Sequence, residues 1–330
     1  MSINDDSKNW TPIKKRIKII RECSSPGVTP SSPRLHIPPS PCLETLGFGT
    51  GVKILLHERG LKDGVNLSPW VLKKVTKRHA AGHIGQRLDD EALILKGLNH
   101  PNIIGYRGFK KNKDGTSVLA LEKGDLSLSD ILEERLDCHK GPLPPQPIIK
   151  VMKCVISALH YLHNDIKRLH GDIKSANVIL VGGKEFQIIK LCDFGVSLKL
   201  DRRGDKVIEG QQYVGTEAWN AMEVIEEETV ITPKADIFSY GCLIYEMLTL
   251  RPPHIDKLVV SESDDEDESI DDSAYIDCLG TRPELPKTLD FDDEYEFILS
   301  IFYACTEEIP EMRPSAETIL KLINDHAKST

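Results

Sequence analysis

One spacing of polar residues limits what this chain can fold into more than any other feature. The pattern H-x-D-x-K-x-x-N occupies residues 170–177, and D-F-G follows at residues 193–195. Two short apolar, strand-like runs separate the motifs, so Asp172, Asn177 and Asp193 stand where strands begin or end. Singly, each of these side chains is more often a turn-forming residue. Together, their oxygen atoms favour a site that binds a hard cation and transfers a phosphoryl group.

The runs on either side of this cluster divide the chain into a β-rich part and a helical part. Residues 70–75 and 118–121 predict short strands, and apolar residues at helical spacing lie between them over 89–98. After residue 126 or so, helices are predicted over 148–162, 237–250, 295–305 and 316–323. A chain of 330 residues exceeds one ordinary domain. We therefore predict an α+β fold with two lobes, a β-rich lobe over 43–124 and a larger helical lobe over 125–326.

Composition excludes several classes of protein. With 40% hydrophobic and 28% charged residues, the chain has the composition of a globular protein, which excludes fibrous and wholly disordered chains. No apolar run approaches the ~18 residues of a membrane span, and the polar start has no secretory signal. The eight cysteines form no C-x-x-C pair, so neither a zinc site nor a disulfide framework is indicated. We expect a protein of the cytoplasm, the nucleus or both, without a membrane partner.

Two segments differ from the rest in composition. Residues 1–42 hold seven of the 20 prolines and no sustained apolar period, which predicts a disordered Pro/Ser/Thr-rich tail. Residues 262–272 hold eight acidic residues and no basic one, and without them the net charge of −9 would be −1. They predict a solvated insertion over about 257–275, with a docking or regulatory role as the alternative. No broad basic surface is indicated, so we expect no nucleic-acid partner.

A glycine-rich run near the start of the β-rich part is a further candidate for phosphate binding. Glycines let a backbone approach phosphate groups closely and donate N–H bonds to them. A plain glycine-rich hairpin is the equal alternative, because Val52 stands where G-x-G-x-x-G has its third glycine. The residues of the run are Leu46, Gly47, Phe48, Gly49, Thr50, Gly51 and Val52, and the apolar Ile54 follows.

The strand predicted over 70–75 places a lysine beside apolar residues. In a strand, Val71 and Lys73 share one face, whereas Lys74 points to the other. A lysine on an inward face needs an anionic partner, and Glu91 on the following helix is a candidate. The alternative is an edge strand with two lysines that face the solvent.

Further motifs follow in an order that resembles the eukaryotic protein kinases. The chain carries E-x-x-x-L-x-x-L-x-H-P-N-I ending at residue 103, G-T-E-A-W at 215–219, A-M-E at 221–223 and A-D-I-F-S-Y-G at 235–241. The resemblance covers residues 43–323. It implies a two-lobed kinase fold, and it pairs Glu223 of A-M-E with Arg313 of the later R-P-S motif.

This resemblance implies ATP and Mg²⁺ as cofactors and gives the candidate residues roles. Lys73, oriented by Glu91, would hold the α- and β-phosphates, and Asn177 and Asp193 would bind Mg²⁺. The glycine-rich run would cover the phosphates, and Glu122 would belong to the hinge whose backbone binds adenine. The wall and floor of the adenine pocket would be formed by Leu46, Ile54, Val71 and Ile179.

The same resemblance implies the chemistry and the substrate class. Asp172 would accept or orient the proton of the substrate hydroxyl, and Lys174 would lie near the γ-phosphate. Lys174 and Thr216 are typical of kinases that act on serine and threonine of proteins, with dual specificity left open. The chain is similar to the branch grouped with MAP kinase kinases, which implies MAP kinases among its substrates and a link to mitosis. A pseudokinase scaffold and a small-molecule kinase are the alternatives.

Several residues bear on partners and regulation. Thr11 begins T-P-I-K, a pattern favoured by cyclin-dependent kinases, so we expect such a kinase to act on the tail. Lys328 and Thr330 stand where a PDZ ligand has a hydroxyl and a hydrophobic residue, so we expect no PDZ binding through this end. Gly171 replaces the arginine of H-R-D, which commonly binds a phosphorylated activation loop. We therefore expect the loop over 196–214 to be ordered mainly by packing, by the N-terminal tail or by a partner, rather than by its own phosphorylation.

Overall fold

The structure, a computed structural model, describes residues 44–49, 51–62, 65–226, 230–257, 259–260, 270–271 and 273–329. The predicted tail over 1–42 and most of the predicted acidic insertion lie outside these residues, as does Thr50 of the glycine-rich run. The limits of the tail, the lobes and the insertion stay predictions.

The first lobe is built on an antiparallel sheet of five strands with one helix against it. Its elements are β1 (Glu44–Gly49), β2 (Val52–His57), β3 (Leu61–Lys62), β4 (Val65–Asn66), β5 (Trp70–Val75), α1 (His83–Gly97), β6 (Tyr106–Lys111) and β7 (Ser117–Glu122). The strand order in the main sheet is β1-β2-β5-β7-β6, and β3 pairs with β4 in a separate short hairpin. Leu55, Leu72 and Ala120 are buried on one face of the main sheet. The strands predicted over 70–75 and 118–121 are confirmed.

The glycine-rich run forms the hairpin between β1 and β2. Gly47, Phe48 and Gly49 lie in β1, whereas Gly51 forms the turn with φ +78°, a left-handed conformation that favours glycine. A Cβ on Gly51 would lie 2.8 Å from atoms of both His79 and Ile84. Gly51 rather than residue 52 therefore provides the conformational freedom of this turn, and Val52 begins the next strand.

Helix α1 packs one face against the sheet. Leu88, Ala92 and Leu95 are buried on that face at the spacing expected of an amphipathic helix. The helix begins at His83, earlier than the predicted 89, and its first turns place Ile84 and Leu88 four residues apart on the same inward face. Glu91 is also buried on the inward face, which brings its carboxylate to the sheet.

The second lobe is mainly helical. Its elements are β8 (Leu126–Ser127), α2 (Leu128–Asp137), α3 (Pro145–His160), β9 (Arg168–Leu169), β10 (Val178–Val181), β11 (Ile188–Leu191), β12 (Leu198–Lys199), α4 (Met222–Ile225), α5 (Lys234–Thr249), β13 (Val259–Val260), β14 (Ile270–Asp271), α6 (Ser273–Cys278), α7 (Glu296–Cys305) and α8 (Ala316–Ser329). The predicted helices correspond to α3, α5, α7 and α8. Helix α3 continues as a π-helical turn over Tyr161–Ile166, and α8 extends past the predicted end of the lobe at residue 326.

Helix α5 is the centre of this lobe. Every residue from Ala235 to Thr249 is buried, as expected for a helix that is apolar on all sides. Helices α3 and α7 contribute buried residues such as Ile156 and Phe302 to the same core. None of the helices in the described part of the chain has the length and apolar character needed to cross a bilayer. The two charged residues that α5 buries, Asp236 and Glu246, position the loops described next.

Candidate active site

Lys73 lies where the two lobes meet. It projects from β5, and its Nζ lies 2.7 Å from Glu91 Oε1 on α1 and 3.1 Å from Asp193 Oδ1, which follows β11 of the second lobe. The predicted pairing of Lys73 with Glu91 is confirmed. The alternative of an edge strand is wrong, because β5 pairs with β2 on one side and with β7 on the other.

The charges of this cluster depend on one another. Burial alone would lower the pKa of Lys73, but the carboxylates of Asp193 and Glu91 outweigh burial and raise that pKa above its usual value. Lys73 in turn holds the pKa of Asp193 below its usual value. Burial raises the pKa of Glu91, and the Lys73 ammonium only partly opposes this. Lys73 is therefore a permanent cation shared by two carboxylates from different lobes.

Asp172, Lys174 and Thr216 form a second polar cluster. Lys174 Nζ lies 2.9 Å from Asp172 Oδ2 and donates to Thr216 Oγ1 at 2.6 Å. The Thr216 hydroxyl donates to Asp172 Oδ1 at 2.6 Å. A carboxylate that already accepts a hydroxyl proton at this distance can orient a second hydroxyl that takes the place of Thr216. The two residues predicted to act in catalysis, Asp172 and Lys174, are thus in contact with each other and with Thr216.

The side chain of Asn177 is oriented by Asp172. Its Nδ2 donates to the Asp172 carbonyl at 2.7 Å and to Asp172 Oδ2 at 2.8 Å. Both amide protons are therefore used, and the Asn177 Oδ1 atom is left as the acceptor or metal ligand. No group of three His, Cys, Asp or Glu side chains that could hold a metal ion occurs among the described residues. Asn177 and Asp193 suit a hard cation that takes its other oxygen ligands from a nucleotide.

The loop over 170–177, which carries Asp172, Lys174 and Asn177, is fixed to α5 by Asp236. The carboxylate of Asp236 is fully buried, and it accepts the backbone N–H groups of His170 at 2.8 Å and Gly171 at 2.9 Å and lies 2.8 Å from His163 Nε2. Gly171 has φ +82°, and a Cβ there would lie 3.0 Å from the Val196 carbonyl oxygen. A glycine at position 171 therefore relieves strain at the turn that precedes Asp172.

Glu246, near the other end of α5, connects the loop over 170–177, the catalytic loop, to the loop over 215–219, the substrate loop. It accepts the Ser175 backbone N–H at 2.9 Å, the Ser175 hydroxyl, and the Trp219 indole N–H at 2.9 Å. Burial raises the pKa of Glu246 to about 7, although its three donors and Lys174 oppose this rise. Ser175 lies two residues before Asn177, and Trp219 lies three residues after Thr216. Glu246 therefore holds both loops of the site in place.

Arg313 and Glu223 form a buried ion pair in the second lobe. Arg313 Nη1 lies 2.5 Å from Glu223 Oε1, and Nη2 lies 3.0 Å from Oε2. The remaining donors of Arg313 bind the backbone carbonyls of Glu307, Glu308 and Lys234. All five N–H groups are thus satisfied. The predicted pairing of Glu223 with Arg313 is confirmed, and it fixes the end of the substrate loop.

Four apolar residues were predicted to enclose the adenine ring, and three of them lie beside Lys73 or beside the chain that joins the lobes. Ile54 on β2 stands opposite Lys73 in the sheet, and Val71 precedes Lys73 by two residues on the same face. Ile179 lies on β10, and its Cγ2 is only 1.9 Å from the point that a Cβ on Gly124 would occupy. It therefore packs directly against the chain that joins the lobes. Leu46 lies in β1.

Glu122 lies at the end of β7, where the chain passes from the first lobe to the second, and its part in binding adenine stays a prediction. Its backbone N–H donates to the Gly105 carbonyl at 2.8 Å, so this N–H is not free to bind a base. Its carboxylate accepts the Gly105 N–H at 3.0 Å and lies 3.3 Å from Lys190 Nζ and 3.7 Å from an Arg107 guanidinium nitrogen. Glu122 therefore ties the connection between the lobes to β11 and to the segment before β6.

Sequence reasoning did not find Asp236, Ser175 or Glu246 as parts of the site. One signal was available for the two acids, because a charged residue inside a helix that is otherwise apolar needs a buried partner. The partners themselves lie 27 to 73 residues away along the chain, and no local pattern identifies them.

The protein kinase domain family model matches residues 43–322 of the chain. The chain belongs to the protein kinase family. It is therefore a transferase whose family uses ATP and a divalent metal ion. The predicted two-lobed kinase fold is confirmed.

The similar kinases differ in how much of their own length this chain matches. The chain is 43% identical over 302 residues to the human lymphokine-activated killer T-cell-originated protein kinase, which covers 89% of this chain and 92% of that kinase. It is 34% identical over 253 residues to mitogen-activated protein kinase kinase kinase ANP1 of Arabidopsis thaliana and 31% identical over 233 residues to serine/threonine-protein kinase Tao of Drosophila melanogaster. These matches cover 74% and 70% of this chain but only 33% and 19% of the relatives.

Proposed function

We propose that this kinase transfers the γ-phosphoryl group of ATP, with Mg²⁺, to serine or threonine residues of protein substrates. The observation that carries the proposal is the position of Lys73, whose Nζ contacts carboxylates of both lobes, Glu91 at 2.7 Å and Asp193 at 3.1 Å. Such a contact requires that the lobes be closed on each other around one cation. An anionic ligand in the cleft would find Lys73 already oriented.

The residues of the chain divide the work between binding and proton transfer. When bound, ATP with Mg²⁺ supplies the phosphoryl group and neutralises the charge that develops on it. Lys73 binds the phosphates, and Asp193 and the Asn177 Oδ1 atom hold the metal. Asp172 orients the incoming hydroxyl and receives its proton, and Lys174 stabilises negative charge beside it. Positioning and electrostatics of this kind account for most of the catalysis in phosphoryl transfer.

The site and the relatives also support a finer proposal about substrates. Thr216 contacts both Asp172 and Lys174, which places a hydroxyl where a substrate serine or threonine has to react. The name of the Arabidopsis relative ANP1 places that kinase in a MAP kinase cascade. We extend such a place to this chain, with MAP kinases among the substrates and a MAP kinase kinase-like role. Dual specificity for tyrosine is a further outcome that phosphoamino-acid analysis would detect.

Regulation and location form the last part of the proposal. We place the kinase in the cytoplasm and nucleus, with activity linked to mitosis. Phosphorylation of Thr11 by a cyclin-dependent kinase would add about −1.5 to −2 charges beside Lys14 and Lys15. Thr11 lies outside the described residues.

The test is phosphate transfer from radiolabelled ATP to protein and peptide substrates. We expect the full chain to label serine and threonine. Asp172→Asn should lower the rate of phosphate transfer by about 10² or more. The matched control is Asp290→Asn, because Asp290 is exposed and lies outside the site. Absence of transfer by the wild type, with nucleotide still bound, would favour the pseudokinase alternative. Labelling of a small molecule but of no peptide would favour a small-molecule kinase.

A further inference from the structure

A second carboxylate of α1, besides Glu91, reaches the sheet of the first lobe. Asp89 lies two residues before Glu91, and its side chain is only 17% exposed. Its Oδ2 lies 2.5 Å from Lys111 Nζ at the end of β6. Its Oδ1 accepts the hydroxyl of Ser117, at the start of β7, at 2.5 Å. Lys111 and Ser117 are partners in the register of β6 with β7, so one carboxylate of the helix binds both strands at one point.

The Ser117 hydroxyl makes this contact more than a surface ion pair. Ser117 is buried, so its hydroxyl needs an acceptor inside the protein, and Asp89 provides one. Lys111 is exposed, and an exposed ion pair alone contributes little. If α1 moved away from the two strands, both bonds would break and a buried hydroxyl would be left without its acceptor. The contact therefore opposes a movement of this part of α1 away from β7.

This anchor lies next to the contact that joins α1 to the cleft. Asp89 and Glu91 are separated by one residue of α1, so the two carboxylates move together with the helix. On the sheet, Ser117 lies two residues before Leu119, which stands opposite Lys73 in the register of β7 with β5. The same turn of α1 is thus bonded to two neighbouring strands, to β7 through Asp89 and to β5 through Glu91. The first contact therefore limits how far Glu91 can move from Lys73, whose Nζ lies 2.7 Å from it.

We propose that Asp89 is a positioning residue, which holds α1 against the sheet so that Glu91 stays on Lys73 before a nucleotide binds. The inference rests on the proposed function and adds a residue that sets the affinity for ATP from outside the cleft. Without the anchor, α1 would leave the sheet in a fraction of the molecules, and Lys73 would lose the orientation that the phosphates need. ATP would then bind only the remaining competent fraction, which raises its apparent dissociation constant in inverse proportion to that fraction.

The experiment measures kcat and KM for ATP with Mg²⁺, at a saturating concentration of one substrate peptide. We expect Asp89→Ala to raise KM for ATP about fivefold and to change kcat less than about twofold, because saturating ATP restores the competent position of α1. Lys111→Met should raise KM about two- to threefold, since the Ser117 bond remains. The Asp89→Ala, Lys111→Met double variant should not exceed Asp89→Ala, because both changes remove the same contact.

Asp90→Ala is the matched control, because Asp90 is the next residue of α1 and is exposed. Its carboxylate accepts Gln86 Nε2 at 3.0 Å, a bond within the helix rather than to the sheet. It should keep the KM of the wild type. The inference is overturned if Asp89→Ala keeps that KM too, or if Asp90→Ala raises it equally. It is also overturned if Asp89→Ala lowers the melting temperature and kcat alone, since a purely structural role would reduce the amount of folded enzyme without changing KM.

Two further measurements cover the cases in which a protein fails to fold or to react. If Asp89→Ala does not fold, Lys111→Met decides, because Lys111 is exposed, and an unchanged KM for ATP then overturns the inference. If the wild type transfers no phosphate, the proposed function is overturned. The inference is then decided by calorimetric titration of the same variants with ATP and Mg²⁺. The dissociation constants should follow the order expected for KM, and equal values for the wild type and Asp89→Ala would contradict the role of Asp89.

Discussion

Two buried pairs of a cation with a glutamate, Lys73–Glu91 in the cleft and Arg313–Glu223 in the second lobe, differ in almost every other respect. Lys73 and Glu91 share one close contact, and Lys73 also binds Asp193. The side chain of Lys73 is 14% exposed, whereas that of Arg313 is fully buried. Arg313 binds Glu223 through two nitrogen atoms and spends its other donors on backbone carbonyls.

The difference shows what each pair is for. A lysine is a point charge that can move from one carboxylate to another or to a phosphate. An arginine with all five donors occupied cannot exchange partners without leaving several buried groups unsatisfied. The Lys73 pair is therefore suited to binding a ligand between lobes, and the Arg313 pair is suited to holding the substrate loop in one place. Three predictions can break or sharpen this comparison.

The largest effect is expected for Arg313. Arg313→Met would leave the Glu223 carboxylate buried without its cation and would orphan three carbonyls, so we expect a loss of about 3–5 kcal/mol in the free energy of unfolding. Urea denaturation followed by circular dichroism measures this. Arg87→Met is the control, because Arg87 is exposed on α1, and it should change the free energy of unfolding by less than about 0.5 kcal/mol. Lys73→Met should cost less than Arg313→Met, because Glu91, whose pKa is already raised, can take up a proton. Equal losses for both variants would refute the distinction.

The next effect concerns activity rather than stability. Lys73→Met should lower kcat/KM for phosphate transfer by about 10²–10³, because it removes the cation that contacts both lobes. Lys74→Met is the matched control, since Lys74 is the next residue of the same strand and faces the other side of the sheet. It should change the rate by less than about threefold. Similar losses for both lysines would mean that the sheet as a whole, and not the Lys73 charge, supports activity.

The smallest effect is expected in the activation loop. The Ser197 hydroxyl donates to the Leu169 carbonyl at 2.6 Å, and Tyr213 packs against the buried cluster of Leu169, Leu198 and Leu200. Both hydroxyl-bearing residues of this loop are therefore engaged in packing. We expect phosphatase treatment of the wild type to lower activity less than about tenfold, since no arginine at position 171 awaits a loop phosphate.

The Ser197→Ala, Tyr213→Phe double variant provides the comparison for this loop. It should resemble the treated wild type within the same limit. A larger loss on phosphatase treatment, reproduced by the double variant, would show that a loop phosphate is required and that the prediction from Gly171 is wrong.

The sequence predicted the parts of this molecule that depend on local order. Periodicity identified strand β5 and helices α3 and α5, because side chains repeat on one face of each. The pairing of Lys73 with Glu91 was predictable since both sides of the pair lie in recognisable elements. The contacts of Glu246 with Ser175 and Trp219 were not, because they depend on how α5 packs against two loops. The direction of the Glu122 side chain was missed for the same reason, as Lys190 and Gly105 come from separate segments.

Glu246 also links the folding equilibrium to the proton concentration. Its pKa is about 7 in the fold, against an ordinary value of 4.5. Between these values the folded chain binds more protons than the unfolded chain, so this group stabilises fully below pH ~4.5, and its contribution is lost as pH rises through ~7. The loss amounts to at most about 1.4 kcal/mol per pH unit. The free energy of unfolding, measured from pH 5 to 8, should therefore fall more steeply with pH for the wild type than for Glu246→Gln. Acidification from pH 8 toward 5 therefore raises the stability of the whole fold through a single carboxyl group.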